Sequence, residues 1–246
     1  MNFEIPRNRI IPIDRADLVV DPSPHPFEAA HGAAIAANWA REVAEQPALF
    51  NGEVLFFSSI RWADRQLHAR CHVVRYATFL YWRRTRAEPS AEHLYAHAMP
   101  VTADGALIAI RMAPHTANAG RVYFAAGSFD PNDIRGDRLD IAANMVREVR
   151  EETGMDLTST RHEKIYHGWS GESGTVLVRR YFVDRTADDL VADIRAHIAA
   201  DPDPEIVEAI AIRRADDLPP GLMPHMPALI DWHFKGAVRL RAEPRR

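Results

Sequence analysis

Cysteine and long apolar runs are scarce in this chain of 246 residues. The single cysteine, Cys71, excludes an internal disulfide framework and fits a reducing compartment. No apolar run approaches the roughly 18 residues of a membrane span. The N-terminal stretch MNFEIPRNRIIPID also lacks the basic and then apolar pattern of a signal peptide. We therefore predict a cytoplasmic protein that has no membrane partner.

An excess of charge of one sign is also lacking, because the formal net charge is only −4. Lysine accounts for just two of the 30 basic residues, Lys164 and Lys235. A balance of this kind provides no broad electrostatic attraction for nucleic acid. With 47% apolar and 26% charged residues, the composition is that of a globular protein of one or two domains. We expect a small-molecule partner and no nucleic acid.

The first 90 residues combine helical and strand-like patterns. An Ala-rich helix is predicted over residues 27–46, followed by the strand-like runs EVLFFSSIRW and QLHARCHVVRY and a further helix in ATFLYWRRTR. The polar break AEPSAEH then suggests a boundary near Ser90. We predict an N-terminal α+β extension over residues 1–90 and a second domain over residues 91–246.

The second part of the chain begins with two strands that the turn pair Asp104-Gly105 joins. GRVYFAAG is predicted as a strand and SFDPNDIRGDRL as a turn-rich loop, and Asp140 is suited to cap the helix that follows. Beyond that helix, TVLVRRYFVD predicts a strand, ADDLVADIRAHIAA a helix and EIVEAIAI a strand. This alternation predicts a layered α/β fold.

The stretch MVREVREETG places Glu148, Glu151 and Glu152 in one helical turn, just before a glycine that suits a helix end. Carboxylates three and four residues apart repel each other by about 0.2–0.5 kcal/mol per pair. The C-terminal end of a helix also carries partial negative charge, which disfavours them again. A hard divalent cation such as Mg²⁺ would reconcile the cluster. The alternative is a solvated charged face on which Arg147 pairs with Glu151.

The run REVREETGM, residues 147–155, resembles the core of the Nudix box at nine consecutive positions, including the spacing of all three glutamates. The upstream half departs from that pattern. Aligning AAGSFDPND with the glycine loop of the box puts Gly127 at the motif glycine and Asp133 at its first glutamate. Residues Ile134 to Leu139 then form an insertion. An ungapped alignment would instead put Leu139 at that glutamate.

The resemblance implies an α/β fold of the Nudix type, an α/β/α sandwich with a mixed β-sheet. It implies hydrolysis, dependent on Mg²⁺ or Mn²⁺, of a nucleoside diphosphate linked to another group. The carbonyl of Gly127 and the carboxylates of Glu148, Glu151 and Glu152 would bind metal, and Arg147 would orient the glutamates. Metal ions suit such a reaction because they neutralise charge on phosphoryl oxygens and lower the pKa of the attacking water. The alternative is a Nudix-like regulator that binds a nucleotide without cleaving it.

The N-terminal part carries a second, looser resemblance. AANWAREVAEQPALFNGEVLFF and RYATFLYWRR are similar to the N-terminal extension of Nudix enzymes that cleave UDP-glucose and UDP-galactose. This implies that a UDP-sugar is cleaved to UMP and a sugar 1-phosphate. The competing substrates are ADP-ribose, NADH, coenzyme A and dinucleoside polyphosphates. An extension that serves contacts in a homodimer is the alternative to a role in the reaction.

Many Nudix enzymes draw a further glutamate from a distant loop or strand, and Glu172, Glu205 and Glu208 are the candidates here. Glu205 stands just before the final predicted strand and follows two prolines that restrict the approach of the chain. We predict Glu205 as an added ligand or general base. The stretch WSGESG is predicted as a loop that leaves Trp169 available to stack on a base, or as an ordinary surface loop.

Overall fold

The computed structural model describes residues 2–47, 49–86 and 90–242, and side chains as far as residue 236. The helices in these ranges are α1 (Pro26–Glu45), α2 (Tyr76–Thr85), α3 (Ile141–Thr153), α4 (Ala187–Ala200) and α5 (Met226–Ala242). None of them is both long and apolar enough to cross a bilayer. The first four lie where the sequence predicts helices. Only α5 was missed, although its buried residues Met226, Leu229 and Ile230 follow the helical spacing of three and four.

The described residues form both short strands, which lie beside loops, and long strands, which lie in the centres of the sheets. They are β1 (Phe3–Glu4), β2 (Ile11–Ile13), β3 (Arg15–Val20), β4 (Glu53–Ala63), β5 (Gln66–Arg75), β6 (Leu94–Val101), β7 (Leu107–Met112), β8 (Val122–Tyr123), β9 (Ile134–Arg135), β10 (Arg138–Leu139), β11 (Arg161–His162), β12 (Tyr166–Gly171), β13 (Gly174–Phe182) and β14 (Ile206–Ile212). The predicted hairpin at Asp104-Gly105 is confirmed, since it joins β6 to β7 and Gly105 has a φ of 81°.

The first sheet has the strand order β1-β4-β5-β3-β10-β9. Its centre is the antiparallel pair β4 and β5, rich in the aromatic and β-branched residues that favour strands. Helix α2 follows β5 directly, and its apolar face packs on a group of buried rings that includes Phe27 of α1 and Phe56 of β4. This packing places α2 beside the second sheet, where Phe79 contacts His93 with ring centroids 4.6 Å apart.

The second sheet is mixed and has the order β14-β7-β6-β13-β12-β2. Strands β6 and β13 run parallel, and their side chains alternate between the two faces. On one face, the Tyr181 hydroxyl lies 3.9 Å from the sulfur of Met145 in α3. On the other, His97 lies 3.0 Å from His225, the residue before α5. Helices therefore cover both faces, which confirms the predicted α/β sandwich with a mixed sheet.

The N-terminal residues pack closely against this second sheet. Strand β2 pairs with β12, and Arg7 forms an ion pair of 2.6 Å with the buried carboxylate of Glu92. Residues from both sides of residue 90 also contribute to one hydrophobic core. The division near Ser90 therefore stays a prediction about domains, while the two parts share a packed interface.

The predicted insertion, Ile134–Leu139, forms a small hairpin of β9 and β10 with Gly136 at its turn. Its second strand pairs with β3 at Arg138 and Val19 and so extends the first sheet. Arg138 also contacts Asp17 at 2.6 Å. The extra residues therefore link the helix of the Nudix-like motif to the N-terminal sheet.

The prediction of a loop at WSGESG is wrong for its first half. Trp169 lies in β12, opposite Val176 of β13, and is only 6% exposed. The local sequence is poor in β-branched residues, so pairing with β13 and β2 outweighs a weak intrinsic strand preference. The indole therefore belongs to the core, and the expectation that Trp169 is free to stack on a base is corrected. The turn itself is confined to residues 172 and 173.

Candidate active site

Helix α3 is held in place by signals at both of its ends. Asp140 caps the start, with its side chain accepting a hydrogen bond from the Ala143 N–H at 3.0 Å. Gly154 ends the helix in the left-handed conformation, with a φ of 73°. Both features were predicted from the sequence. With Met145 and Val149 fully buried, the glutamate turn lies at the edge of the core.

The glutamates of α3 line a cleft of ≈ 320 Å³ together with Glu205. The remaining lining residues come from the end of α4 and the loop before β14: His197, Ile198, Asp201, Asp203 and Pro204. Helix α4 ends against α3, where the His197 ring lies 3.1 Å from the carbonyl oxygen of Glu151. This contact brings the chain that carries Glu205 next to α3, although 53 positions separate it from Glu152 in the sequence.

Two carboxylates of this cluster are buried. Glu148 is 9% exposed and Glu152 is 8% exposed. Burial raises the pKa of Glu148 to about 8, with Arg147 opposing the shift and Glu151 adding to it. Burial also raises the pKa of Glu152 well above its ordinary value, and the negative charges of Glu148 and Glu205 raise it further. Such a site favours either protonation or a bound cation.

The loop after β8 contacts two of the α3 glutamates. The N–H of Ala126 donates a hydrogen bond of 2.9 Å to Glu152 Oε2. A Cβ built on Gly127 would overlap the carboxylate of Glu148. Only glycine therefore allows the chain to approach Glu148 this closely at its present position. The structure brings Gly127 together with Glu148, as the alignment to the motif requires.

Arg147 holds several carboxylates at once. Its guanidinium lies 2.8 Å from Glu148 and 3.2 Å from Glu151. The same group also lies 3.1 Å from Asp133, which is 1% exposed and accepts a further bond from the Asn144 amide. Asp133, which aligns with the first glutamate of the motif, therefore holds Arg147 in place by an ion pair and does not line the cleft.

The other two candidates for a further glutamate lie elsewhere. Glu208 is paired with Arg111 at 2.8 Å on the neighbouring strand. Glu172 lies in the turn between β12 and β13, where its backbone carbonyl accepts a hydrogen bond from Arg86. Of the three, only Glu205 lines the cleft, and Trp169 does not line it.

The donor chemistry of the cleft fits a hard cation. Carboxylate and carbonyl oxygens are the ligands that Mg²⁺ prefers, and the buried carboxylate of Glu152 has no cationic side chain paired with it among the described residues. In those same parts of the chain, no three His, Cys, Asp or Glu side chains already form a complete ligand set. Glu148 and Glu151 both contact Arg147, so a complete set requires at least one of them to exchange that contact for the metal.

A second cavity, which we name the aromatic pocket, is bordered by the Gly127 loop and has a volume of ≈ 190 Å³. Its walls are mostly aromatic rings, together with Arg83 of α2 and Arg86 at the C-cap of that helix; the rings include Phe79, His93, Tyr95 and Tyr123. The sequence patterns did not predict this pocket. The ring-rich composition of α2 and β6 was the available signal, but it fits a core equally well.

Comparisons with known proteins give matches of structure only. No protein-family model matches the sequence, and a search of curated proteins found no significant match. Solved structures that match include the MutT protein of Methanosarcina mazei Go1 at 14% identity and a TM-score of 0.39, covering 59% of this chain and 94% of that one. A Nudix hydrolase from M. smegmatis, RenU, matches at 13% identity and a TM-score of 0.36, covering 63% of this chain and 87% of that one. NrtR of Shewanella oneidensis matches at 13% identity and a TM-score of 0.40, covering 61% of this chain and 65% of that one. Likenesses this distant assign neither a substrate nor a residue role.

Proposed function

We propose that this chain is a hydrolase dependent on Mg²⁺ or Mn²⁺ that cleaves the diphosphate of a nucleoside diphosphate linked to another group. One observation carries the proposal: Glu148, Glu151 and Glu152 of the Nudix-like helix meet Glu205 of a distant segment in one cleft. Buried like charges without full compensation are costly, so their convergence in a cleft points to a functional site.

In this proposal, the residues of the cleft have separate roles. Glu148, Glu151, Glu152 and the carbonyl of Gly127 would hold the metal, which would neutralise charge on the phosphoryl oxygens and lower the pKa of the attacking water. Glu205 takes the proton of the water that attacks phosphorus, and the bridging P–O bond breaks. Arg147 orients Glu148 and Glu151, and the Ala126 N–H holds Glu152.

The finer proposal is that the substrate is UDP-glucose or UDP-galactose, cleaved to UMP and a sugar 1-phosphate. It rests on the resemblance of the N-terminal part alone. We expect the UDP-sugars to be cleaved faster than ADP-ribose, NADH, coenzyme A and dinucleoside polyphosphates. Rates of product release with Mg²⁺ and with Mn²⁺, measured side by side on purified protein, test this. A higher rate with an adenine nucleotide would reject the UDP-sugar assignment and keep the general one.

Gly127→Ala is expected to lower turnover by about 10²-fold, because the new Cβ pushes the Glu148 carboxylate away from the metal and a displacement near 1 Å has an effect of that size. The measurement is turnover of the best substrate, with the fold checked by circular dichroism. Gly32→Ala in α1 is the matched control, since nothing lies within 4 Å of a Cβ there. A Gly127→Ala variant with unaltered turnover would remove this loop from the site.

The second candidate is a module that binds a nucleotide without cleaving it. The observation in its favour is that Arg147 lies 2.8 Å from Glu148 and 3.2 Å from Glu151 and so already pairs with two of the proposed metal ligands. Calorimetric binding of the same nucleotides, without product formation at any metal concentration, would support this module over the hydrolase.

A further inference from the structure

The two arginines of the aromatic pocket have only neutral hydrogen-bond acceptors. Arg83 donates to the side-chain oxygen of Asn118 at 3.0 Å and to the carbonyl of Ala117. Arg86 donates to the carbonyl of Glu172 and lies over the Trp82 ring, 5.2 Å from its centroid. Among the described residues, neither guanidinium forms an ion pair with a carboxylate. Adjacent cations of this kind are suited to an anion supplied from outside the chain.

The neighbouring helix residue provides a contrast. Arg84 pairs with Glu42 of α1 at 2.9 Å and is not among the residues that line the pocket. Arg83 and Arg86 are close enough to disfavour each other, since burial and then the charge of Arg83 lower the pKa of Arg86, while the charge of Glu172 opposes this shift without forming an ion pair. The arrangement concentrates positive charge on the pocket side of α2.

The interior of the aromatic pocket is uncharged. Burial, together with the smaller effect of the charges of Arg83 and Arg86, lowers the pKa of His93 to about 3. Burial likewise lowers the pKa of His97 to about 3 and raises the pKa of Tyr95. Neutral rings that still carry hydrogen-bonding atoms suit a nucleobase, which stacks on aromatic side chains and presents polar edges.

The pocket and the glutamate cleft come close to each other at the Gly127 loop. Gly127 lines the pocket, and a Cβ on it would overlap the carboxylate of Glu148, which lines the cleft. The next residue, Ser128, has its hydroxyl 3.1 Å from the ring of His93, whose pKa responds to both arginines. A ligand bound between the rings and the arginines would therefore lie beside the Gly127 loop, which is also next to Glu148.

We propose that the aromatic pocket binds the nucleoside monophosphate half of the substrate, with the base among the rings and its phosphate held by Arg83 and Arg86. This inference rests on the proposed function, because it assigns the nucleotide half of that substrate to a pocket. It also makes α2, and through it the N-terminal part of the chain, a component of the active site.

The test is calorimetric binding of UMP, AMP, GMP and CMP to the full chain in EDTA, which needs neither metal nor turnover. At least one nucleotide is expected to bind, and the corresponding nucleoside at least about tenfold more weakly, because charge-assisted hydrogen bonds to the phosphate are lost. Arg83→Gln and Arg86→Gln should each weaken binding by about tenfold. Arg84→Gln should leave it unchanged. Added salt should weaken nucleotide binding to the wild type more steeply than binding to the double variant that carries both Arg83→Gln and Arg86→Gln.

The outcomes separate this inference from the proposed function. Nucleotide binding that depends on Arg83 and Arg86 supports the pocket assignment even when no diphosphate is hydrolysed. Equal binding by wild type, Arg83→Gln and Arg86→Gln overturns it, as does the absence of binding by all four nucleotides at millimolar concentration. If the chain hydrolyses the diphosphate and its KM is the same in Arg83→Gln and Arg86→Gln, the proposed function is supported and the assignment of the nucleotide to this pocket is rejected.

Discussion

Glu152→Gln is expected to lower turnover by about 10³-fold or more, because a metal ligand contributes several kcal/mol to the transition state and about 1.4 kcal/mol corresponds to tenfold in rate. The fold should survive, since the glutamine oxygen can still accept the bond that the Ala126 N–H makes to Glu152 at 2.9 Å. The measurement is turnover with saturating Mg²⁺. Glu45→Gln, at the exposed end of α1, is the control and should have wild-type turnover.

The same variant should be as stable as the wild type, or more stable, when metal is removed by EDTA. The pKa values of Glu148 and Glu152 are raised by burial, so the folded chain binds more protons than the unfolded chain above the ordinary pKa of glutamate. The free energy of unfolding in EDTA should therefore fall as the pH rises from about 4.5 to about 8. Glu152→Gln should flatten this decline, which chemical denaturation at several pH values measures.

Two results would contradict this account of Glu152. Full turnover by Glu152→Gln would exclude it as a metal ligand. A marked loss of stability in EDTA would mean that its charge stabilises the fold, and that the cleft is a structural ion cluster.

Glu205→Gln is expected to slow turnover by about 10²–10⁴-fold, the usual effect of losing a general base. Glu205 lines the cleft with the three helix glutamates, and its charge raises the pKa of both Glu148 and Glu152. Because the variant keeps the shape of the side chain, its KM should change less than its kcat. Steady-state kinetics over a range of pH measures both.

Glu208→Gln is the matched control for Glu205. It lies three residues further along and pairs with Arg111 outside the cleft, so its turnover should match the wild type. If Glu205→Gln slows turnover less than about threefold, far below the expected range, Glu205 is a surface residue. The proton acceptor would then have to be sought among the remaining cleft residues.

The local signals of the sequence were sufficient for α3. Asp140 and Gly154 mark its ends by capping chemistry that depends only on neighbouring residues, and its apolar stripe dictates which side enters the core. The acidic turn violates two local rules, so it was visible without a structure. Helix α4 and the hairpin at Asp104-Gly105 were likewise predictable, because short-range hydrogen bonds and periodicity define them.

Long-range pairing decided what the sequence could not predict. Trp169 occurs in a stretch with weak strand preference, and its burial follows from pairing with β13 and β2. The insertion was recognised, but its pairing with β3 depends on residues more than 100 positions away. Strand formation depends on such partners far more than helix formation does.

The sequence by itself determined the helix that carries the glutamates, the α/β class and the glycine that this helix faces, because each depends on periodicity or on a motif with a set spacing. The sequence favoured Glu205 among three candidate glutamates, but only the tertiary structure brought it into one cleft with the helix glutamates, since the end of α4 directs that loop toward α3. Only the tertiary structure also assembled the aromatic pocket from α2, β6 and the Gly127 loop. A cavity is made where distant segments leave space between them, and no local pattern encodes that space.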